Sequence, residues 1–156
     1  MKHAHPLDRI DREIVSLLQI DATLSHSDLA DRVGASSASC WRRVKSLEAV
    51  GIFVGTVRLV NPEKVGCGVN VLCNIRMRSH AFEARQSFEQ FIEEQAEVVE
   101  CFSMSGDYDY LLRVVVADVV DYNDFLMLRL LSHPSVAGGS SHFALSMTKH
   151  TTALPI

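Results

Sequence analysis

Two periods of apolar residues run along the chain, and one gives way to the other near residue 69. Ile10, Ile14, Leu17 and Leu18 recur at i, i+4, i+7 and i+8, the stripe of one helix face, and Asp8 stands where a capping side chain closes a helix start. Ser25-His26-Ser27-Asp28 has the S-x-x-D form of a capping box and opens a second helix through Leu29, Ala30 and Val33, which Gly34 ends. Ser36 then starts a third helix running to about Ala49, and Gly51 closes it. Two helices joined by so short a Gly-containing turn predict a helix-turn-helix. On the third helix Cys40, Val44 and Leu47 share one face, Arg42, Lys45 and Ser46 point away, and Ser37, Ser39 and Arg43 lie on the flanks. Ile52–Val60, kinked at Gly55, reads as the β segment of a wing, and Asn61-Pro62 ends it.

From Val69 the period is two. Val69, Val71, Cys73, Ile75 and Met77 face one way and Asn70, Asn74, Arg76 and Arg78 the other, the pattern of a half-buried strand. Helical spacing returns over residues 81–95 through Ala84, Phe88, Phe91 and Ile92. Two strands follow, Val98–Met104 and Tyr110–Ala117, then a helix capped by Asp118 and carrying Tyr122, Phe125, Leu126, Leu130 and Leu131 to about His133-Pro134. A last strand is expected over Val136–Met147. The order βαββαβ predicts a ferredoxin-like unit with both helices on one sheet face. The fold class is therefore α+β: a winged helix-turn-helix over residues 1–60, a linker over 61–68 and a βαββαβ domain over 69–156. The second sheet face mixes Asn70, Asn74 and Arg76 with Leu111, Val115 and Ala144, and such a face commonly meets a copy of itself.

With 156 residues and 47% hydrophobic positions, the chain suffices for two small domains and is too apolar to be disordered. No run reaches the length of a membrane span, and Met1-Lys2-His3-Ala4-His5-Pro6 lacks a signal-peptide core, so a soluble, cytoplasmic protein is expected. Cys40, Cys67, Cys73 and Cys101 form no close CxxC pair and sit in apolar contexts, which favours buried free thiols over disulfides or a zinc site. The net charge of −4 hides an asymmetry: nine Lys/Arg face eight Asp/Glu in residues 1–64, against six and eleven in residues 65–156. That balance excludes wholesale coating of nucleic acid but allows a local basic reading surface.

The motifs are similar to those of the Lrp/AsnC, or feast/famine, family of bacterial transcription regulators. The resemblance is carried by Leu7-Asp8-x-Ile10-Asp11-Arg12, by Leu29-Ala30-x-Arg32-Val33-Gly34, and by Ser36-x3-Cys40-x2-Arg43-Val44-x2-Leu47-Glu48-x2-Gly51-Ile52. Asn61-Pro62 and Ser105-Gly106-Asp107-Tyr108-Asp109-Tyr110-Leu111 continue it in the family's order. The chain departs from the pattern at Ser36-Ser37-Ala38-Ser39, where members often carry prolines, and in the bulky Trp41. The resemblance implies an N-terminal winged helix-turn-helix and a C-terminal amino-acid-sensing domain that dimerises, with tetramers and octamers accessible.

A basic helix face is usually just solvated, but here it belongs to the second helix of a helix-turn-helix. Ser36, Ser37, Ser39, Arg42, Arg43 and Lys45 are therefore the candidate contacts to a pseudo-palindromic double-stranded operator. Trp41 is expected to pack at the helix base. Gly106-Asp107-Tyr108-Asp109 is by composition an ordinary β-turn; the resemblance makes it an effector loop at a subunit interface. Asp107 or Asp109 would then pair the ammonium of a free amino acid, and loop N–H groups or Ser103 would serve its carboxylate. Ser103, Gly106, Asp107, Tyr108 and Asp109 form this candidate site, joined by His142 and Phe143 at matching positions on the last strand. His142 is read as orienting or structural rather than as a pH switch or metal ligand. Phe143 with Met104 would favour an apolar or sulfur-containing side chain. No cofactor, metal-ligand or catalytic motif stands out: GxSxG, P-loop and HExxH are all missing, so an enzyme is not expected. A bare amino-acid-binding module or adaptor would not need Arg42, Arg43 and Lys45 after a tight turn.

Overall fold

Polar side chains start each of the first three helices in the computed structural model, which describes residues 5–156; residues 1–4, part of the segment expected to lack a signal-peptide core, lie outside the described residues. In α1 (Arg9–Leu18) the Asp8 carboxylate accepts from the Asp11 N–H while the Asp11 carboxylate accepts from the Asp8 N–H. Ser25 and Asp28 form the same reciprocal box at α2 (His26–Val33). Gly34 ends α2 with φ of 67°, a conformation that a side chain would strain, and Ser36 caps α3 (Ser37–Ala49). Ile14, Val15, Leu29, Ala30, Val33, Cys40 and Leu47 close over one another as this unit's core.

The segment expected to form a wing strand does not form one. Residues 54–60 have no regular secondary structure, and Val54 is 95% exposed. A strand needs a hydrogen-bonding edge beside it, and a single chain offers this segment none. The linker holds one turn of 3₁₀ helix, Glu63–Val65, started by Pro62. Two compact units result: the three helices up to Arg58 together with Lys149–Ile156, and Leu59–Thr148. The C-terminal tail joins the first unit because the Gln19 side-chain amide accepts from the Leu154 N–H (2.6 Å) and donates to its carbonyl (3.3 Å).

The second unit runs β1 (Val69–Met77), α4 (Phe82–Glu93), β2 (Val98–Ser103), β3 (Tyr110–Val116), α5 (Val119–Asp124) and β4 (Val136–Phe143). α5 continues as a π-helical run, Phe125–Leu130, in which the Leu131 N–H bonds the Leu126 carbonyl five residues back. The sheet is antiparallel in the order β2-β3-β1-β4, the ferredoxin-like arrangement. Val71, Cys73 and Ile75 of β1 lie beside Val114, Leu112 and Tyr110 of β3, and all six are buried under Phe88, Ile92, Tyr122, Phe125 and Leu130 of the helices. The opposite face carries Leu72, Phe102, Leu111 and Val115 around Arg113, which bonds Asn70 and Glu100. β4 ends at Phe143, short of the expected Met147, because its neighbour β1 begins at Val69 and the ladder runs out of partner. Among the cysteines only Cys40 and Cys73 are buried; Cys67 is half-buried, and Cys101 is exposed because β2 is an edge strand.

Backbones approach closely at Gly139, where a Cβ would stand 2.9 Å from the Asn74 carbonyl oxygen and 3.2 Å from Ile75 Cδ1, whereas Gly138 opens onto free space. Gly139→Ala is expected to lower stability by about 1–3 kcal/mol through overpacking. Gly138→Ala is expected to leave the thermal midpoint nearly unchanged, and thermal melts of the two variants check the contrast.

Candidate functional site

The reading surface is built by the turn between α2 and α3. Because Gly34 and Ala35 alone separate α2 from the Ser36 cap, α3 begins abruptly, and burial of Cys40 and Leu47 fixes which face it shows outward. Ser39, Arg42, Arg43 and Ser46 line a shallow depression of about 300 Å³ on that face. Ser36 Oγ accepts from the Ser39 N–H at 3.2 Å, so its side chain is engaged in capping. Asp11 and Asp28 sit in the first turns of α1 and α2, but no acidic residue sits in the first turn of α3. The positive end of the α3 dipole is therefore uncompensated, the condition under which helix N-termini take phosphate.

The basic residues differ in their freedom. Arg42 is exposed and has no carboxylate partner among the described residues. Lys45 pairs with Glu48 at 2.7 Å, but both are exposed, and such pairs dissociate easily. Arg43 turns inward to Asp8 and Asp11, each at 2.7 Å, and these carboxylates raise its pKa. Asp8 is held below its ordinary value by the Asp11 N–H first and by Arg43 second. Trp41, expected to pack at the helix base, is 50% exposed instead.

The second site is the β2–β3 hairpin. The Met104 N–H donates to the Asp109 carbonyl and the Asp109 N–H to the Ile75 carbonyl, both at 2.8 Å, and Gly106 takes a positive φ of 120° at the tip. Asp109 Oδ2 accepts from the Met77 N–H and Oδ1 meets His80 Nε2, each at 2.7 Å. The Met77 N–H is free for this bond because the β1–β3 ladder ends at the Ile75–Tyr110 pair, so the next N–H facing β3 has no strand partner. That bond, with the His80 contact, holds the Asp109 carboxyl below its ordinary value. Arg76 Nε donates to the Asp107 carbonyl, and its guanidinium stands 5.3 Å from the Tyr108 ring centroid. Arg76 and His80 thus belong to the loop's surroundings although the residue pattern had not marked them. Arg76 was legible as an outward strand position; its partner, 31 residues away, was not.

His142 and Phe143 lie elsewhere. Phe143 sits opposite Val71 and packs edge-on against Tyr122 at 5.3 Å on the helix side, while His142, opposite Leu72, faces the open side beside Ser140. Ser103, opposite Tyr110, marks the other end of the sheet. Four residues along β1 and three inter-strand spacings separate the groups, roughly 13 Å by 14 Å. Phe143 and Met104 are therefore not neighbours within one chain, contrary to expectation.

Comparison with known proteins places both regions. A model described as the AsnC-type helix-turn-helix domain matches residues 7–48, and one described as the Lrp/AsnC ligand binding domain matches residues 70–154. The DNA-binding transcriptional activator DecR of Escherichia coli K12 is 41% identical over 150 residues, covering 96% of this chain and 99% of DecR. The crystal structure of an AsnC family transcriptional regulator from Agrobacterium tumefaciens is 44% identical with a TM-score of 0.91, covering 96% of this chain and 97% of that one. A transcriptional regulator from Neisseria meningitidis, solved as a complex with L-Met, is 36% identical with a TM-score of 0.92 and the same coverage.

Removing the Asp109 carboxylate leaves the N–H of buried Met77 without its acceptor. Asp109→Ala is expected to destabilise by about 1–3 kcal/mol at neutral pH. The carboxyl's pKa is lowered on folding, so its contribution is complete above the ordinary 3.8 and is lost as pH falls through the lowered value. Denaturant titrations of wild type and variant should therefore converge on acidification below 3.8.

Proposed function

The chain belongs to the Lrp/AsnC family of DNA-binding transcriptional regulators, which are not enzymes, and on that premise we propose how its parts divide the work. Residues 1–60 bind an operator in the cytoplasm, 61–68 connect, and 69–156 take up an amino acid and self-associate, the last eight residues returning to the DNA-binding unit. α3 enters the major groove with Ser37, Ser39, Arg42 and Lys45 toward the DNA and with Ser36 fixing its start. The observation that carries this reading is Arg42, exposed on α3 beside the shallow depression and without a carboxylate partner among the described residues. Arginine in that position forks onto guanine O6 and N7 or onto phosphate.

An amino acid as effector is supported by the ligand-binding-domain match and by the L-Met complex of the neisserial relative. Within the loop the free carboxylate is Asp107, because Asp109 already holds Met77 and His80. Asp107 is therefore the better partner for an ammonium, with Ser103, Gly106 and Tyr108 around it. His142 and Phe143 join such a site only from a second chain, since one chain holds them at the far end of the sheet. A second copy against Leu72, Phe102, Leu111 and Val115 also removes apolar surface that the two helices cannot reach.

Operator titration over a salt series tests the DNA assignment. The logarithm of affinity should fall linearly with the logarithm of salt, and Arg42→Ala should reduce that slope by about one if Arg42 meets a phosphate. If it forks a guanine, discrimination at one base pair should drop by about 1–3 kcal/mol. An Arg42→Ala variant with wild-type slope, affinity and discrimination would remove α3 as the reading helix. Titrating each free amino acid by thermal shift, then repeating the operator titration with any stabilising one, tests the effector assignment. Asp107→Ala should abolish that stabilisation.

A further inference from the structure

Arg42 and Arg43 are adjacent in sequence yet point about 100° apart on the helix, and the structure gives them different surroundings. Arg43 Nη1 donates to Asp8 Oδ2 and to Asp11 Oδ1, both at 2.7 Å. The same two carboxylates form the capping box of α1: Asp8 Oδ1 accepts from the Asp11 N–H at 2.8 Å, and Asp11 Oδ2 accepts from the Asp8 N–H at 3.3 Å. All four carboxylate oxygens are thereby used, two on the backbone of α1 and two on the guanidinium of α3. The Arg43–Asp11 contact is partly sheltered, 29% and 18% exposed, so water competes less there than at the Lys45–Glu48 pair, while Asp8 at 52% is the open side of the clamp.

We propose that Arg43 is a positioning residue for operator recognition, fixing the angle of α3 through the capping box of α1 and making no contact with DNA itself. This rests on the reading of α3 as the recognition helix. The geometry supports it in three ways. First, the partners are 32 and 35 residues distant, so the contact constrains how two helices cross rather than how one helix ends. Second, the Asp8 and Asp11 oxygens are already oriented by the cap, so the guanidinium meets a preset acceptor pair. Third, the cluster of two carboxylates and one guanidinium carries a net negative charge beside a surface meant for phosphates. Electrostatics alone would select against that charge at a DNA interface, whereas alignment of the helix that reads the bases would retain it.

The third point gives the test an unambiguous sign. The full-length protein is titrated with operator and with unrelated DNA over a salt series, below the melting temperature of every variant. Asp8→Asn with Asp11→Asn keeps good capping side chains and removes two negative charges. If Arg43 contacts phosphate, this double variant frees it, so affinity rises, while Arg43→Met lowers the salt slope by about one. On the positioning proposal both variants lose about tenfold in the ratio of specific to non-specific affinity, the consequence of a misplaced base contact, with wild-type salt slope. Combining them costs no further affinity, because they break the same contact. Arg43→Lys retains the charge and recovers part of the specificity. A raised or wild-type specific-to-non-specific ratio in the double asparagine variant, or a lowered slope or wild-type ratio for Arg43→Met, overturns the proposal. A purely structural role shifts melting temperature without moving the specific-to-non-specific ratio, and that result overturns it too. Arg42→Ala is run in parallel: if it fails to alter slope or base discrimination, the reading of α3 itself has failed, whereas a normal Arg42 response with a failed Arg43 test refutes the positioning role alone.

Discussion

A βαββαβ chain winds both of its helices onto the same side of its sheet, and that constraint governs the second unit. α4 and α5 cover Val71, Cys73, Ile75, Leu112 and Val114 completely. They leave Leu72, Phe102, Leu111 and Val115 on a face held open by a lattice of Arg113, Asn70 and Glu100. A face so mixed is too apolar for permanent exposure and too polar for a private core. It suits a surface that is covered by another molecule after folding. The same winding sends the β2–β3 hairpin to one end of the sheet and the tail of β4 to the other. Within one chain the hairpin and the end of β4 therefore stay apart.

The first unit obeys a different economy, in which helix ends carry the order. It has a small core of seven buried residues, so the placement of its helices relies on what closes them. Reciprocal boxes fix the starts of α1 and α2, Gly34 stops α2, and Ser36 restarts the chain two residues later. Arg43 then draws on the box of α1 to hold α3. Asp8, Asp11 and Asp28 of this unit therefore sit at helix starts and in the clamp, and the N-terminal two-thirds of α3 carries Arg42, Lys45 and hydroxyls with no acid before Glu48. A chain with an overall charge of −4 can in this way present a locally basic surface.

What could be read from the residues was the chemistry of near neighbours. Asp8 with Asp11 and Ser25 with Asp28 act over three positions, and the alternation in β1 acts over two, so each leaves a local signature. The inward turn of Arg43 was invisible because a flank position on a helix does not say what stands beside it. The bond from Met77 to Asp109 was invisible for a related reason: it depends on where the β1–β3 ladder ends, which no periodicity announces. The wing segment failed in the opposite direction. Its residues favour a strand, but no partner strand among the described residues completes a ladder with it, and it forms none. Cys101 looked internal from its apolar neighbours, yet an edge strand exposes what a central strand would bury.

In the proposed effector loop Asp109 already has its side chain engaged by the fold. Its backbone ties the hairpin to Ile75 and Met104, and its carboxylate ties it to Met77 at the end of β1 and to His80 in the run leading into α4. Three separate pieces of backbone therefore converge on one residue. Arg76 adds a fourth restraint by bonding the Asp107 carbonyl beside the Tyr108 ring. A molecule that displaces the hairpin must either break these bonds or carry the end of β1 and the approach to α4 with it. Breaking them strands a buried N–H and a carboxylate, which is costly. Carrying them moves parts of the sheet and of a helix together. If the proposed effector meets Asp107 and Tyr108, the contacts that occupy the Asp109 carboxylate are also the ones through which the end of β1 and the approach to α4 would feel it.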